Sequence, residues 1–493
     1  MNLSLVSLEI AAVALGLALL LVDLWLPTGR KRLLGYAAAM GLGAILLYGV
    51  LAMKLAPGEV HYGFGGMYVL DALALFFKRF FLLAAIIVLL LSVEFAERIE
   101  AGIAEYYALI LFGLSGMLFA SSANNFALLF VSLELITVTF YVLTSFQRAR
   151  LASLEAGVKY LIIGALSTAF TVFGIALVYG TSGHLDFAEL AGVSGQLAGN
   201  KIFLSGLVLI LVGLGFKIAA VPFQIWAPDV YQGAPTPTTA FLAIGSKAAG
   251  FVLLLRVLFI AVPQITAQWT NLLIIISAST ILYGNLCAIP QRNLKRLMGY
   301  SSIAHAGYLL LGVAAMATTA AKTQDATAGG TALLYYLSGY LFTVLAVFTV
   351  IILAMGHLDS EDISGLAGLS RRSPLLAATM TVAMVSLAGI PPLAGFFGKF
   401  LLLKAVIANG ATNPGYYCLA FTAIAGVVIS LWYYFGVIRA MYWAQAAGDL
   451  PPIRISGAIR WSIYACIAGI FYLGIFPGAM LNWAAEAVKA LKP

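Results

Sequence analysis

Residues 213–222 read Gly213-Leu214-Gly215-Phe216-Lys217-Ile218-Ala219-Ala220-Val221-Pro222, a lysine set deep in an apolar run and bracketed by helix breakers. The run extends over 201–226, about the 20 residues that a helix needs to cross hydrocarbon. Inside a bilayer each backbone amide and carbonyl must find its partner within the segment, so such a run is helical. Gly213, Gly215 and Pro222 then interrupt that helix beside Lys217. A second run, 374–408, is too long for a simple crossing and breaks at Gly389-Ile390-Pro391-Pro392, before Gly395, Gly398 and Lys399. Interrupted helices in two halves of a chain are the sequence mark of a transport site. The lysines are 399 − 217 = 182 residues apart, a distance of five spans. A repeat with an odd number of spans inserts its second copy upside down, so spans four to eight against nine to thirteen are expected to form an inverted repeat.

Outward from these two runs the pattern is the same. Of 493 residues, 62% are hydrophobic and only 9% charged, whereas a soluble surface takes about 25%. The mean hydropathy is +1.02. Apolar runs fall at 3–26, 33–55, 72–93, 105–121, 123–144, 156–179, 201–226, 238–260, 270–289, 297–316, 329–355, 374–408, 415–441 and 460–484. The expected fold is all-α, a polytopic membrane protein of about fourteen spans with discontinuous spans seven and twelve. It forms a single membrane domain over 1–493. Within it, 1–95 holds three N-terminal helices, 105–260 the first repeat, 270–441 the second, and 442–493 a C-terminal helix. Strand alternation is absent, which excludes an outer-membrane barrel, and no strand precedes a Gly-rich phosphate loop. Loops near 180–200 and 357–373 are too short to build a soluble core, so chemistry on NADH, flavin or ATP belongs elsewhere.

The net charge of +8 sits in short loops, which points to topogenesis and not to nucleic acid. With the N-terminus outside, the inner loops carry Arg30-Lys31-Arg32, Arg98, Arg148, Arg150, Arg292, Lys295, Arg296, Arg371-Arg372 and Arg454, and the outer loops almost no cations. Both termini are then on the outer side. The first run is followed, not preceded, by its basic cluster, so it should remain as a span. Cys287, Cys418 and Cys466 are far apart, with no metal spacing.

The candidate site is the set of charges inside these runs. Glu134 has no charged neighbour within ten residues, Lys217 and Lys247 are similarly deep, and Lys399 follows the break in the twelfth run; a charge at a span centre costs at least about 2.5–3.5 kcal/mol. Desolvation favours the neutral form of both residue types, and a nearby opposite charge restores the ionised one. Two such groups 4 Å apart interact by roughly 4 kcal/mol at an effective dielectric of 20, enough to load or unload a proton when the partner moves. The bland alternative for each is a static buried salt bridge. Lys159 is either a relay or a snorkelling side chain at a span end, and His305 either a relay or a hydrogen-bonded core residue. Asp23, Glu94, Arg256 and Arg439 lie near span ends, where snorkelling is the default. The numerous Phe, Tyr and Met residues read as packing.

Segments Glu105-Tyr106-Tyr107, Ser132-Leu133-Glu134-Leu135, Gly213-Leu214-Gly215-Phe216-Lys217, Val221-Pro222-Phe223-Gln224-Ile225-Trp226-Ala227-Pro228-Asp229-Val230-Tyr231-Gln232-Gly233-Ala234-Pro235, Lys295-Arg296-Leu297-Met298-Gly299-Tyr300-Ser301-Ser302-Ile303-Ala304-His305 and Ser386-Leu387-Ala388-Gly389-Ile390-Pro391-Pro392 carry a family likeness. Over nearly the whole chain it resembles the antiporter-like membrane subunits of respiratory complex I, and among their three paralogous types most the N type. The resemblance implies fourteen helices, inverted five-helix repeats, Glu134 paired with Lys217, central lysines Lys247 and Lys399, and Lys159 and His305 as intermediates. It implies proton translocation in the bacterial inner membrane, driven by remote redox chemistry. NADH, FMN, iron–sulfur clusters and quinone would be held by partner subunits, with other membrane-arm subunits and lipids as neighbours. Gln224 departs from the histidine common after Val-Pro-Phe and cannot titrate. The rival expectations are a subunit of an Mrp-type sodium/proton antiporter and a structural spacer.

Overall fold

The computed structural model describes residues 3–319, 327–356, 358, 361–444 and 452–491, and within them each apolar run is helical. The chain runs α1 (Ser7–Asp23), α2 (Arg32–Leu51), β1 (His61–Gly63), β2 (Tyr68–Leu70), α3 (Ala72–Phe95), α4 (Ile103–Ser121), α5 (Phe126–Thr144), α6 (Leu151–Ser182), α7 (Phe187–Ser194), α8 (Lys201–Ile218), α9 (Ala227–Gly233), α10 (Thr236–Phe241), α11 (Lys247–Arg256), α12 (Thr270–Ala288), α13 (Leu294–Thr319), α14 (Ala328–Ala354), α15 (Leu369–Arg372), α16 (Pro374–Ala388), α17 (Ala394–Ala408), α18 (Gly415–Tyr442), α19 (Gly457–Ile475) and α20 (Gly478–Lys489). Helix starts follow from capping chemistry: the side chains of Asp71, Asn125, Asp186 and Asn200 accept backbone N–H bonds at the heads of α3, α5, α7 and α8.

Among the described residues thirteen helices are long and apolar enough to cross a membrane, with α10 and α11 counted as one through the π-turn Leu242–Ser246 between them. A fourteenth crossing is split into α16 and α17, fifteen residues each, as the break at Gly389 predicts. The core is formed by the spans Thr236–Ala261, Leu294–Ala317 and Ala328–Ala354, each 94% buried, whereas α6 is only 28% buried and lies at the rim. The site lysines and histidine of the central axis are therefore carried by, or packed against, the innermost helices.

Three expectations are corrected. The chain does contain strands: β1 and β2 pair antiparallel, His61 opposite Leu70, and this hairpin caps one end of the bundle through Val69 N to Ser122 O and Asn124 Nδ2 to Gly66 O. Six strand residues around a tight turn, with Gly65 and Gly66 at φ +67° and +91°, are too short for a hydropathy pattern to show. The last run does not continue to 484, because α19 ends at Ile475 and Pro477-Gly478 starts the separate helix α20, whose Trp483 is exposed. Arg256 does not snorkel: it is fully buried and forks onto Asp71 at 2.9 and 3.1 Å. Parts of the expected 442–493 segment, 445–451 and 492–493, lie outside the described residues.

Loops expected on the inner side do lie together, since Arg150 meets Glu361 and Asn293 bridges Asp362. The opposite end gathers the hairpin, the 122–125 turn and the residues before α7, through Tyr68 with Ala123 and Asn125 with Asp186.

Candidate functional site

Lys217 is in the last turn of α8, which stops at Ala219 in the left-handed conformation, φ +58°. The freed carbonyls find new donors: Ala219 N and Trp226 Nε1 reach Phe216 O, and Ala220 N reaches Gly215 O. The break is thus closed on itself, and Val221 N donates across to Thr280 of the second half at 3.0 Å. Lys217 is 4% exposed, and its Nζ donates to Thr137 Oγ1 at 2.9 Å. Glu134, one turn earlier on α5, accepts from Thr168 Oγ1 at 2.7 Å. The carboxylate and the ammonium make no direct ion pair. Instead both line a cavity of about 20 Å³, with Ser167, Thr168, Thr171 and Gly213, a space that takes about one water.

Lys247 opens α11 directly after the π-turn, a local widening common at functional sites. Its Nζ donates short hydrogen bonds to Ser302 Oγ and Ser302 O. Ser302 Oγ also lies 2.8 Å from Tyr231 OH; Tyr231 belongs to α9, the helix that follows the first break. A Cβ on Gly250 would sit 3.3 Å from Lys217 Cγ, so the glycine lets α11 pack on the Lys217 stem. One turn from Ser302 on α13, His305 is wedged between Tyr336 OH at 2.5 Å from Nδ1 and Tyr434 OH at 3.0 Å from Nε2. Tyr434 OH continues to Ser301 Oγ at 2.5 Å. The ring of Tyr308 stands 5.9 Å from that of His305, and Lys399 Nζ lies 4.7 Å over Tyr308.

Lys399 reaches back to the break of its own span, donating to Leu387 O at 2.7 Å beside the cap Gly389, φ +84°. The register of the two breaks differs from that of the two lysines: the left-handed caps are 389 − 219 = 170 residues apart. Ten residues beyond its cap the second half has Lys399, and ten beyond the first cap stands Asp229. The lysines are not equivalent by position. Lys399 brings its ammonium to the carbonyl end of the half-helix before its break, where the backbone dipole favours a cation, whereas Lys217 sends its ammonium to the Thr137 hydroxyl of α5.

Lys159 stands apart from this line. Its side chain is 41% exposed and pairs with Asp229 at 2.7 Å and Glu155 at 2.6 Å, and Asp229 also takes Arg296 at 2.5 Å. At the same end Lys295, fully buried, donates to Ala234 O at 2.7 Å and approaches Glu361, which Arg150 holds in a fork at 3.2–3.3 Å. Sequence reasoning assigned no role to Thr137, Thr168, Asp229, Tyr231, Ser302, Tyr336, Glu361 or Tyr434. Only Asp229, a lone acid at the mirror position of Lys399, carried a signal that could have been read.

Residues 123–428 match the family described as NADH:quinone oxidoreductase/Mrp antiporter, TM, a range that holds all six candidate residues. Over 483 residues the chain is 39% identical to NADH-quinone oxidoreductase subunit N of Moorella thermoacetica, with 98% of each chain covered. A chain in the structure of respiratory complex I from Thermus thermophilus with bound aureothin is 32% identical, with TM-score 0.77 over 97% of this chain and 99% of that one. A chain of the Mrp complex from Dietzia is alike in fold alone, with TM-score 0.80 at 20% identity over 100% and 98%.

Proposed function

The chain belongs to the NADH:quinone oxidoreductase/Mrp antiporter transmembrane family and within it to the subunit N members of NADH-quinone oxidoreductase, and on that premise we propose that its buried charges are the route by which it moves protons. Glu134 modulates Lys217 through the water-sized cavity between them. Lys217 takes up the proton, Lys247 relays it with Tyr231 and Ser302, and His305 with its two tyrosines connects that step toward Lys399 at the second break. Lys159, with Asp229, sits at the mouth of the first half. The observation that carries this reading is that three lysines, 3–5% exposed, meet hydroxyls and carbonyls where a static pair would need carboxylates. An ammonium held by neutral partners gives up its proton more readily than one locked to an anion.

The chain itself performs no redox step. NADH, FMN, iron–sulfur clusters and quinone belong to partner subunits, and their turnover changes hydration and charge along this axis. Its place is the bacterial inner membrane, beside other antiporter-like and small polytopic membrane-arm subunits and lipid, with both termini outside. The Mrp antiporter alternative shares the fold, but the full-length identity runs to the quinone oxidoreductase side. Lys217→Ala in the assembled complex tests the reading: fewer protons should be pumped per quinone reduced. Unchanged pumping per quinone reduced in an intact complex refutes it. Sodium-dependent exchange by preparations free of flavin and iron–sulfur subunits would move the assignment to the antiporter.

A further inference from the structure

The three N-terminal helices and the hairpin hold a second set of buried charges, outside the route just described. Glu9 in the first turn of α1 and Lys78 in α3 are both fully buried, with Nζ donating to Oε1 at 2.6 Å. Tyr68 of β2 donates to Leu5 O at 2.9 Å and lies 3.1 Å from the same Oε1, and Lys78 Nζ also makes a short bond to the Tyr68 hydroxyl. The other carboxylate oxygen, Glu9 Oε2, is buried with no partner. Next to this group Asp71 and Arg256 form the second buried pair, and Arg256 donates further to Ser121 O at 2.7 and 2.9 Å. Arg256 lies nine residues beyond Lys247 on one helical run, about 13 Å along its axis.

A carboxylate buried only to pin α1 to α3 would have both oxygens satisfied, because an orphaned lone pair in a dry interior is costly. Here one oxygen is held by Lys78, with the Tyr68 hydroxyl beside it, and the other is left open on the same side chain. We propose that Glu9, set by Lys78 and Tyr68, is a further proton-holding station at the hairpin end of the bundle, the outer end in the orientation given above. On loading, an O–H bond forms at Oε2 and the pair passes from net neutral to a neutral acid beside an ammonium. On release that bond breaks and the proton passes to water beyond the hairpin. The proton comes from the translocation the subunit already performs, so the proposal rests on that reading and adds a site to it.

The experiment uses the whole complex in liposomes and compares Glu9→Gln, Glu9→Asp, the double variant Glu9→Gln with Lys78→Met, and, in parallel, Lys217→Ala. The expected result is a severalfold loss of proton pumping in Glu9→Gln, no recovery in the double variant, and partial recovery in Glu9→Asp, which keeps a titratable group. A packing pair behaves differently, since removing both charges together restores what removing one destroys. Wild-type pumping by Glu9→Gln or by the double variant overturns the proposal, as does failure of all three to assemble. Loss in Lys217→Ala with normal pumping in Glu9→Gln sinks this inference alone, whereas normal pumping in Lys217→Ala sinks the main reading.

Discussion

A buried lysine is defined by what its three N–H bonds find, and among the described residues Lys247 finds Ser302. Its hydroxyl and carbonyl take the ammonium directly, and the hydroxyl is shared with Tyr231. A hydrogen bond to a charged group is worth about 1.5–3 kcal/mol, so Ser302→Ala should slow proton translocation by roughly tenfold or more while the complex still assembles; pumping at the wild-type rate would show the hydroxyl to be a bystander. Arg256 is a different case, because its fork onto Asp71 is complete. Arg256→Met leaves Asp71 buried and uncompensated, a cost of about 3–5 kcal/mol, seen as a lower melting temperature of the complex. Adding Asp71→Asn, which removes the charge and keeps the cap of α3, should recover part of it. At this scale Glu134 was legible as the lone charge of its apolar run, and Lys217, Lys247 and Lys399 because each lies at least five residues from the next charge. Their partners were not: a serine, threonine or tyrosine in such a run is ordinary, and whether it meets a lysine is decided by tertiary packing. Arg256 was misjudged for the same reason, since nearness to a span end says nothing about whether Asp71 waits there.

The two broken helices reach one geometry by different means. In the second span Gly389 supplies the left-handed cap at φ +84°, and in the first the same role falls to Ala219 at φ +58°. An L-residue in that region costs about 1–2 kcal/mol. Ala219→Gly should therefore raise the thermal stability of the complex by up to about 1 kcal/mol, offset in part by the freer unfolded chain. Gly389→Ala should lower it and disturb Lys399, whose Cδ would be 3.0 Å from the new Cβ. No change in melting for either variant would contradict the strained-cap account. The Gly-Ile-Pro-Pro break was readable from residue types, whereas the position of the first break within 213–222 was not, since alanine signals helix. That is also why counting from lysine to lysine gave 182 and not the 170 between caps.

Over the whole molecule, hydropathy sufficed for the fourteen crossings, because bilayer thickness sets a length that a one-dimensional pattern can carry. What holds the two halves together at the basic end was hidden, since it rests on Glu361 in a loop meeting Arg150 and Lys295 from elsewhere in the chain. Burial by itself pushes the Glu361 carboxyl up, but Lys295 and Arg150 outweigh it and hold the group below the ordinary carboxylate range. With its folded value depressed, the stabilisation is fully present above the unfolded value of about 4.3 and is lost as pH falls through the folded one. Melting of the complex should therefore drop more steeply below about pH 4.3 in wild type than in Glu361→Gln, and at neutral pH the variant should melt lower; parallel curves would remove Glu361 from the account.

The central claim is that a buried lysine of this axis gives up its proton in each cycle. Lys247→Arg tests it most directly, because arginine keeps the positive charge and the donors but does not deprotonate in proteins. Proton pumping by the assembled complex carrying this variant should collapse although the charge is retained, and pumping at the wild-type rate would contradict the account.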